Sequence, residues 1–158
     1  FYPNFQNDMW RIMGLLFFGD REHFVVKGQK RFDYGSVTDF CGKEGIALYD
    51  AAYMVKRLKG NASDNFLKII EPTDIRALLT AMPSCTAVAS TGGKSAEQIA
   101  SILGVAVPPV GGSTGLVLPD GRPLAFHRMP SSSRAYPLSL EAKAEIYSKF
   151  LESTGFRF

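Results

Sequence analysis

The chain has 158 residues, 46% hydrophobic and 21% charged, which suits one soluble domain with a real core. It contains no apolar run long enough to cross a bilayer, and no signal-peptide pattern opens it. A net charge of +3 is only a faint hint of a nucleic-acid partner, so any such hint has to come from local clusters.

The two cysteines, Cys41 and Cys85, lack CxxC spacing, and two thiols cannot ligate an iron–sulfur cluster. They read as reduced thiols of an intracellular protein. His23 and His127 lie far apart and show no metal-ligand pattern, so neither a metal nor a cofactor is expected.

Residues 1–10 alternate aromatics and amides without a helix or strand period. Aromatic faces can stack on a flat base and amides can pair with its polar edge, although core packing and turn capping are the commoner duties of such residues. Residues 10–18 carry Trp10, Met13, Leu16 and Phe17 at helical spacing, and Gly19 and Asp20 end that helix. Residues 21–34, with Lys27, Lys30 and Arg31, read as a solvated loop. A short helix over 36–43 is expected, with Ser36 as its N-cap and Val37, Phe40 and Cys41 inward.

Residues 45–50 read as a buried strand ending at Asp50, near the sheet edge where open α/β folds place ligands. Asp50 is either a general base or the cap of the next helix. Lys56, Arg57 and Lys59 fall within four positions and suit either the DNA backbone or a solvated helix end. An amphipathic helix is expected over 72–82, with Ile75, Leu78, Leu79 and Met82 on one stripe, and a buried strand over 85–90.

Thr91-Gly92-Gly93-Lys94-Ser95 is not a P-loop, because Val88 stands where that pattern needs its first glycine. It reads as a tight strand-to-helix turn, followed by a helix with Ala96, Ile99, Ala100 and Leu103 inward and Gly104 at its end. Residues 116–118 and 124–127 flank Pro119-Asp120-Gly121 and read as a hairpin. A last helix carries Leu140, Ala144, Tyr147 and Leu151 on one face.

Between that hairpin and the last helix runs Met129-Pro130-Ser131-Ser132-Ser133-Arg134-Ala135-Tyr136-Pro137. Prolines stiffen such a crossing, serines offer compact donors, and a helix start beyond it favours an anion. The combination fits a phosphate-bearing ligand, while composition alone favours an ordinary connecting loop.

The wording of this stretch resembles the second motif of the uracil-DNA glycosylase superfamily, a Pro-Ser loop after the last sheet strand. It is nearest the mismatch-specific (thymine/uracil) and hypoxanthine-specific branches, where a Ser-Leu-Glu-like helix start follows. Residues 1–10 resemble the family segment His-Pro-x-Asn-x-Phe-Trp that lies just after the first motif. Asn7 and Trp10 fall on its Asn and Trp, Asn4 stands at its His, and Tyr2 stands at the aromatic that stacks on the flipped base in the mismatch-specific branch. The Asn matching Asn7 is catalytic in the hypoxanthine-specific branch. The Gly-Ile-x-Leu-x-Asp wording at 45–50 and the Gly-Lys turn at 93–94 recur in the family as well, so the resemblance covers nearly all of the chain.

The resemblance implies an α/β, three-layer uracil-DNA glycosylase-like fold with a mostly parallel central sheet, as a single domain over 1–158. The family's first strand is expected upstream of Phe1, since the chain opens without Met and runs straight into a motif. The implied activity is a DNA N-glycosylase of base excision repair, acting on uracil, hypoxanthine or a similar base flipped out of DNA. In that reading Asn7 is catalytic, through a water or a base carbonyl, and Tyr2 and Asn4 bind the base. Ser131 and the loop N–H groups hold a phosphate, and Ser132, Ser133 and Arg134 enter the gap or brace the strands.

The implied partner is damaged DNA, met by a cytoplasmic monomer (nucleoid-associated if bacterial) with no membrane contact, metal, iron–sulfur cluster or cofactor. One departure is plain. The position before Pro130 carries His in uracil-specific members and Asn in mismatch-specific ones, whereas Met129 cannot donate a hydrogen bond. Two other classes fit the same residues: a lesion-binding protein of this fold without catalysis, and a hydrolase of free nucleosides or nucleotides.

Overall fold

Capping residues fix where most helices begin. Asp33 accepts a hydrogen bond from the Ser36 N–H and opens α2 (Tyr34–Glu44), so Ser36 is the partner of the cap rather than the cap itself. Asp74 does the same through the Ala77 N–H for α3 (Ile75–Ala81), and Ser139 through the Ala142 N–H for α5 (Leu140–Ser153). Glycines in the left-handed region close α1 (Met9–Phe18) at Gly19 and α4 (Gly93–Leu103) at Gly104.

This is a computed structural model that describes residues 2–57 and 67–158. The chain forms two compact units, Phe1–Tyr49 with Pro130–Phe158, and Asp50–Met129. Its class is α/β, with five helices, one three-stranded sheet and one two-stranded sheet among the described residues. No helix among the described residues is long and apolar enough to cross a membrane.

The unit Asp50–Met129 holds both sheets. β1 (Ala52–Arg57) pairs antiparallel with β2 (Leu67–Pro72). β3 (Ala87–Thr91) pairs parallel with β5 (Pro123–Met129), and β4 (Ser113–Val117) pairs antiparallel with β5, in the order β3-β5-β4. The parallel pair needs a crossover, and α4 supplies it. Ile75 and Leu79 of α3 and Ala96, Ile99 and Leu103 of α4 bury against Phe126 and its neighbours. Arg122 closes the far end of α3 by donating to the Leu79 carbonyl at 2.9 Å and the Pro83 carbonyl at 2.8 Å.

Three sequence expectations change here. Residues 45–50 form no strand. Gly45 sits at φ 68°, and the Ile46 N–H returns to the Cys41 carbonyl at 2.9 Å, so the start of the apolar run closes α2 instead of pairing. The helix expected over 72–82 begins at Ile75, because Pro72 ends β2 and Asp74 is the cap. The three-stranded sheet is mixed, with one parallel and one antiparallel pairing. The cationic run at 56–59 lies outside the described residues, apart from the backbone of Lys56 and Arg57 in β1.

In the unit Phe1–Tyr49 with Pro130–Phe158, Met9, Trp10, Ile12 and Met13 of α1 are buried, as are Leu140, Ala144, Tyr147 and Leu151 of α5. Phe17 joins the two ends of the unit, meeting Phe40 at 4.8 Å and Phe158 at 4.8 Å, edge to face.

Candidate functional site

Two segments far apart in sequence pair in this unit. Asn7 and Ser133 form an antiparallel bridge, closed by the Asp8 N–H on the Ser132 carbonyl at 2.7 Å and the Arg134 N–H on the Gln6 carbonyl at 3.0 Å. Bonds at the flanking residues make Asn7 and Ser133 a non-hydrogen-bonded pair, whose side chains stand close together on one face. Alternation puts Asp8 and Ser132 on the other face, and both are buried while Asn7 and Ser133 are half-buried. The two sequence motifs are thus brought side by side.

Each motif residue has a local duty. The Asn7 side-chain oxygen accepts the Met9 N–H at 2.9 Å at the start of α1, which orients the amide. Its amide nitrogen is the donor end of that side chain. Asn4 is exposed and makes an Asx turn, its side-chain oxygen accepting the Gln6 N–H at 2.9 Å. Tyr2 is half-buried, and its carbonyl accepts the indole N–H of Trp10 at 3.2 Å.

Three of the loop N–H groups, those of Ser133, Arg134 and Ala135, are engaged within the fold. The Ser133 N–H bonds to Ser131 Oγ at 3.2 Å, and the Ala135 N–H bonds to Ser133 Oγ at 3.2 Å. A hydroxyl that accepts still carries its own proton. The Ser131 and Ser133 hydroxyls therefore each keep a proton to donate. Ser132 is buried and braces the strand pairing. The N-terminus of α5, expected to attract an anion, is capped by Ser139.

α5 backs the loop with two side chains one turn apart. Tyr147 donates its hydroxyl to the Pro130 carbonyl at 3.0 Å. Burial first, and then nearby Tyr2, push the Tyr147 phenol up, with a hydrogen bond to Ser132 opposing, so it remains a neutral donor. Lys143 Nζ donates to the Ser133 carbonyl at 2.8 Å and to Asp8 Oδ2 at 3.0 Å.

Asp8 is the centre of a charge cluster that the sequence reading did not single out. Its other oxygen accepts Arg134 Nε at 3.1 Å, and Arg11 lies 4.0 Å away. Arg11 is buried, donates to the Phe5 carbonyl at 3.1 Å, and lies over the Phe5 ring at 4.2 Å. Burial, then Arg134, lowers the Arg11 pKa, while Glu22 and Asp8 oppose that shift. Arg134 is 39% exposed, so its guanidinium both braces Asp8 and meets solvent.

No family model, curated protein or solved structure matches the chain. The site's chemistry therefore rests on its own geometry. It offers a half-buried amide with the Ser133 hydroxyl beside it, the Ser131 hydroxyl next along the loop, and an exposed guanidinium at the rim. Among the described residues no group of three or more metal-ligating side chains gathers. His127 lies in the other unit, where burial lowers its pKa, and Asp50 is exposed, its carbonyl accepting the Thr73 hydroxyl.

Proposed function

We propose that this chain is a DNA glycosylase that hydrolyses the N-glycosidic bond of a deaminated or mismatched base flipped out of DNA. The observation that carries the reading is the antiparallel pairing of Asn7 with Ser133. It sets a polar amide beside serine hydroxyls, which is what a flipped base and its flanking phosphate require together. The resemblance of both segments to glycosylase motifs supplies the reaction class. A three-layer glycosylase-like architecture belongs to the same proposal, and the parallel β3–β5 pair supports it.

In this reading water adds to the anomeric carbon as the bond to the base breaks, and the base leaves with the bonding electrons and takes a proton. Asn7 donates to the base carbonyl or holds the water, without a charge to desolvate. Tyr2 stacks on the base, and Asn4 contacts its edge. Ser131 and Ser133 donate to a phosphate, with Arg134 at the rim.

Lesion binding without catalysis is the second reading. It is favoured by Met129, which occupies the position of the family's electrophile and has no donor. A panel of duplexes containing uracil, hypoxanthine, xanthine or mismatched thymine separates the two. Base release from at least one of them is expected. Tight binding to a damaged duplex with no release would establish the second reading, and neither release nor binding would end both.

A further inference from the structure

Lys143 sits on the apolar stripe of α5, between Leu140 and Tyr147, and is 1% exposed. An ammonium there cannot reach water along its own stem, and burying it costs several kcal/mol unless it is paired. An apolar side chain would fill the same stripe without that cost. What the lysine supplies instead is a joint between two segments. One donor goes to the carboxylate of Asp8 and another to the carbonyl of Ser133.

The pairing that this joint spans is short. Two backbone bonds, from Asp8 and from Arg134, hold the segments together around the Asn7–Ser133 bridge. So short a ladder sets its own register weakly, and a slip of one residue would turn Asn7 from the half-buried face to the buried one. Lys143 is anchored by α5 and does not move with such a slip. It would then meet Asn7 or Met9 in place of Asp8, and be left buried without a carboxylate.

We propose that Lys143 is a positioning residue: its buried pair with Asp8 and its bond to Ser133 fix the register that sets Asn7 beside the serine hydroxyls. The catalytic consequence rests on the glycosylase reading, whereas the register itself does not. Setting a register is the best-attested use of a buried polar or ionic group.

The test uses the full chain with Lys143→Met, and with Asp8→Asn/Lys143→Met, which removes both charges of the pair so that neither is left buried alone. Amide hydrogen exchange at Asp8 and Arg134, read against the interiors of α1 and α5, needs no substrate. The register claim expects both amides to exchange at least about tenfold faster while the helix interiors are unchanged, as a local opening requires. Single-turnover base release at saturating damaged duplex should fall about a hundredfold, the scale of a misplacement of about 1 Å. Affinity of Lys143→Met for undamaged duplex should stay within about threefold, because phosphate donors remain and Asp8 is kept.

Wild-type protection of Asp8 and Arg134 in both variants would overturn the proposal, as would wild-type release by either variant. If the wild-type chain releases no base while the two amides open as expected, the glycosylase reading fails and the register lock stands.

Discussion

Replacing Asp8 with asparagine keeps the volume and one acceptor but removes the charge that faces three cations. Lys143 Nζ lies 3.0 Å from one carboxylate oxygen, and Arg134 Nε lies 3.1 Å from the other. Lys143 is 1% exposed, so in the variant its ammonium stays buried without a counter-charge. Removing one partner of such a pair costs about 3–5 kcal/mol. Arg134→Ala removes a partner that is 39% exposed, and solvent screening limits that loss to about 1 kcal/mol at most.

The chain has a single tryptophan, Trp10, which is 1% exposed, and its fluorescence therefore reports unfolding of this unit. In urea, with a slope of about 1–3 kcal/mol/M, Asp8→Asn should lower the midpoint by more than about 1 M, with the slope unchanged. Adding Lys143→Met should recover most of the loss, since it removes the buried ammonium left without a counter-charge. A loss below about 1 kcal/mol for Asp8→Asn would refute the reasoning, because Lys143 would then be finding water or another partner.

Three further outcomes follow from the site and from the sheet. Asn7→Ala should lower single-turnover base release far more than lesion binding, and Tyr2→Ala should do the reverse, since stacking holds ground and transition states alike; equal losses of rate and binding in Asn7→Ala would make Asn7 a structural amide. Arg134→Ala should weaken duplex binding similarly across sequences and make the salt slope shallower by about one unit, with lesion preference kept; an unchanged slope would limit Arg134 to bracing Asp8. Burial lowers the His127 imidazole below its ordinary 6.5, so on acidification the unfolded chain takes the proton first. Stability is then lost as pH falls through 6.5 toward the folded value and is retained above it, and thermal melts at pH about 8 and about 5 should show this slope in the wild type but not in His127→Gln.

Helices were the most legible part of the fold, because a helix is encoded locally. The stripe of Ala96, Ile99, Ala100 and Leu103 and the glycines at its ends were enough to place α4. Strands depend on partners that no local pattern supplies. The run at 45–49 looked like a buried strand, yet Gly45 and Ile46 close α2, and no ladder takes up the rest. β1 and β2 escaped notice because charged Lys56, Lys68 and Glu71 break any apolar alternation.

At the site, the motifs named Asn7 and the serines but not what holds them. Lys143 was open to detection as a lysine between Leu140 and Tyr147 on an otherwise apolar stripe, which signals a buried partner. Asp8 was concealed by its place at the start of α1, where an Asp is ordinarily a cap. Here it makes no side-chain cap bond.

The cluster also carries a positive surplus that bears on the proposed DNA partner. Asp8 and Glu22 face Arg11, Arg134 and Lys143, with Arg21 against Glu22 at the rim. Of the cations that meet Asp8, Arg11 and Lys143 are buried and Arg134 reaches solvent, so Arg134 is the one a phosphate can share. If the proposed DNA partner is right, Asp8 competes with a phosphate for the same guanidinium. Asp8→Asn should accordingly destabilise the unit while raising affinity for undamaged duplex at low salt, once affinity is corrected for the folded fraction seen by Trp10. The gain should vanish as salt screens the exposed charge over a Debye length of about 10 Å at 0.1 M. Adding Arg134→Ala should abolish it. A parallel fall of stability and affinity in Asp8→Asn would show that Asp8 arranges the phosphate donors instead of competing with them, and would remove Arg134 from the binding face.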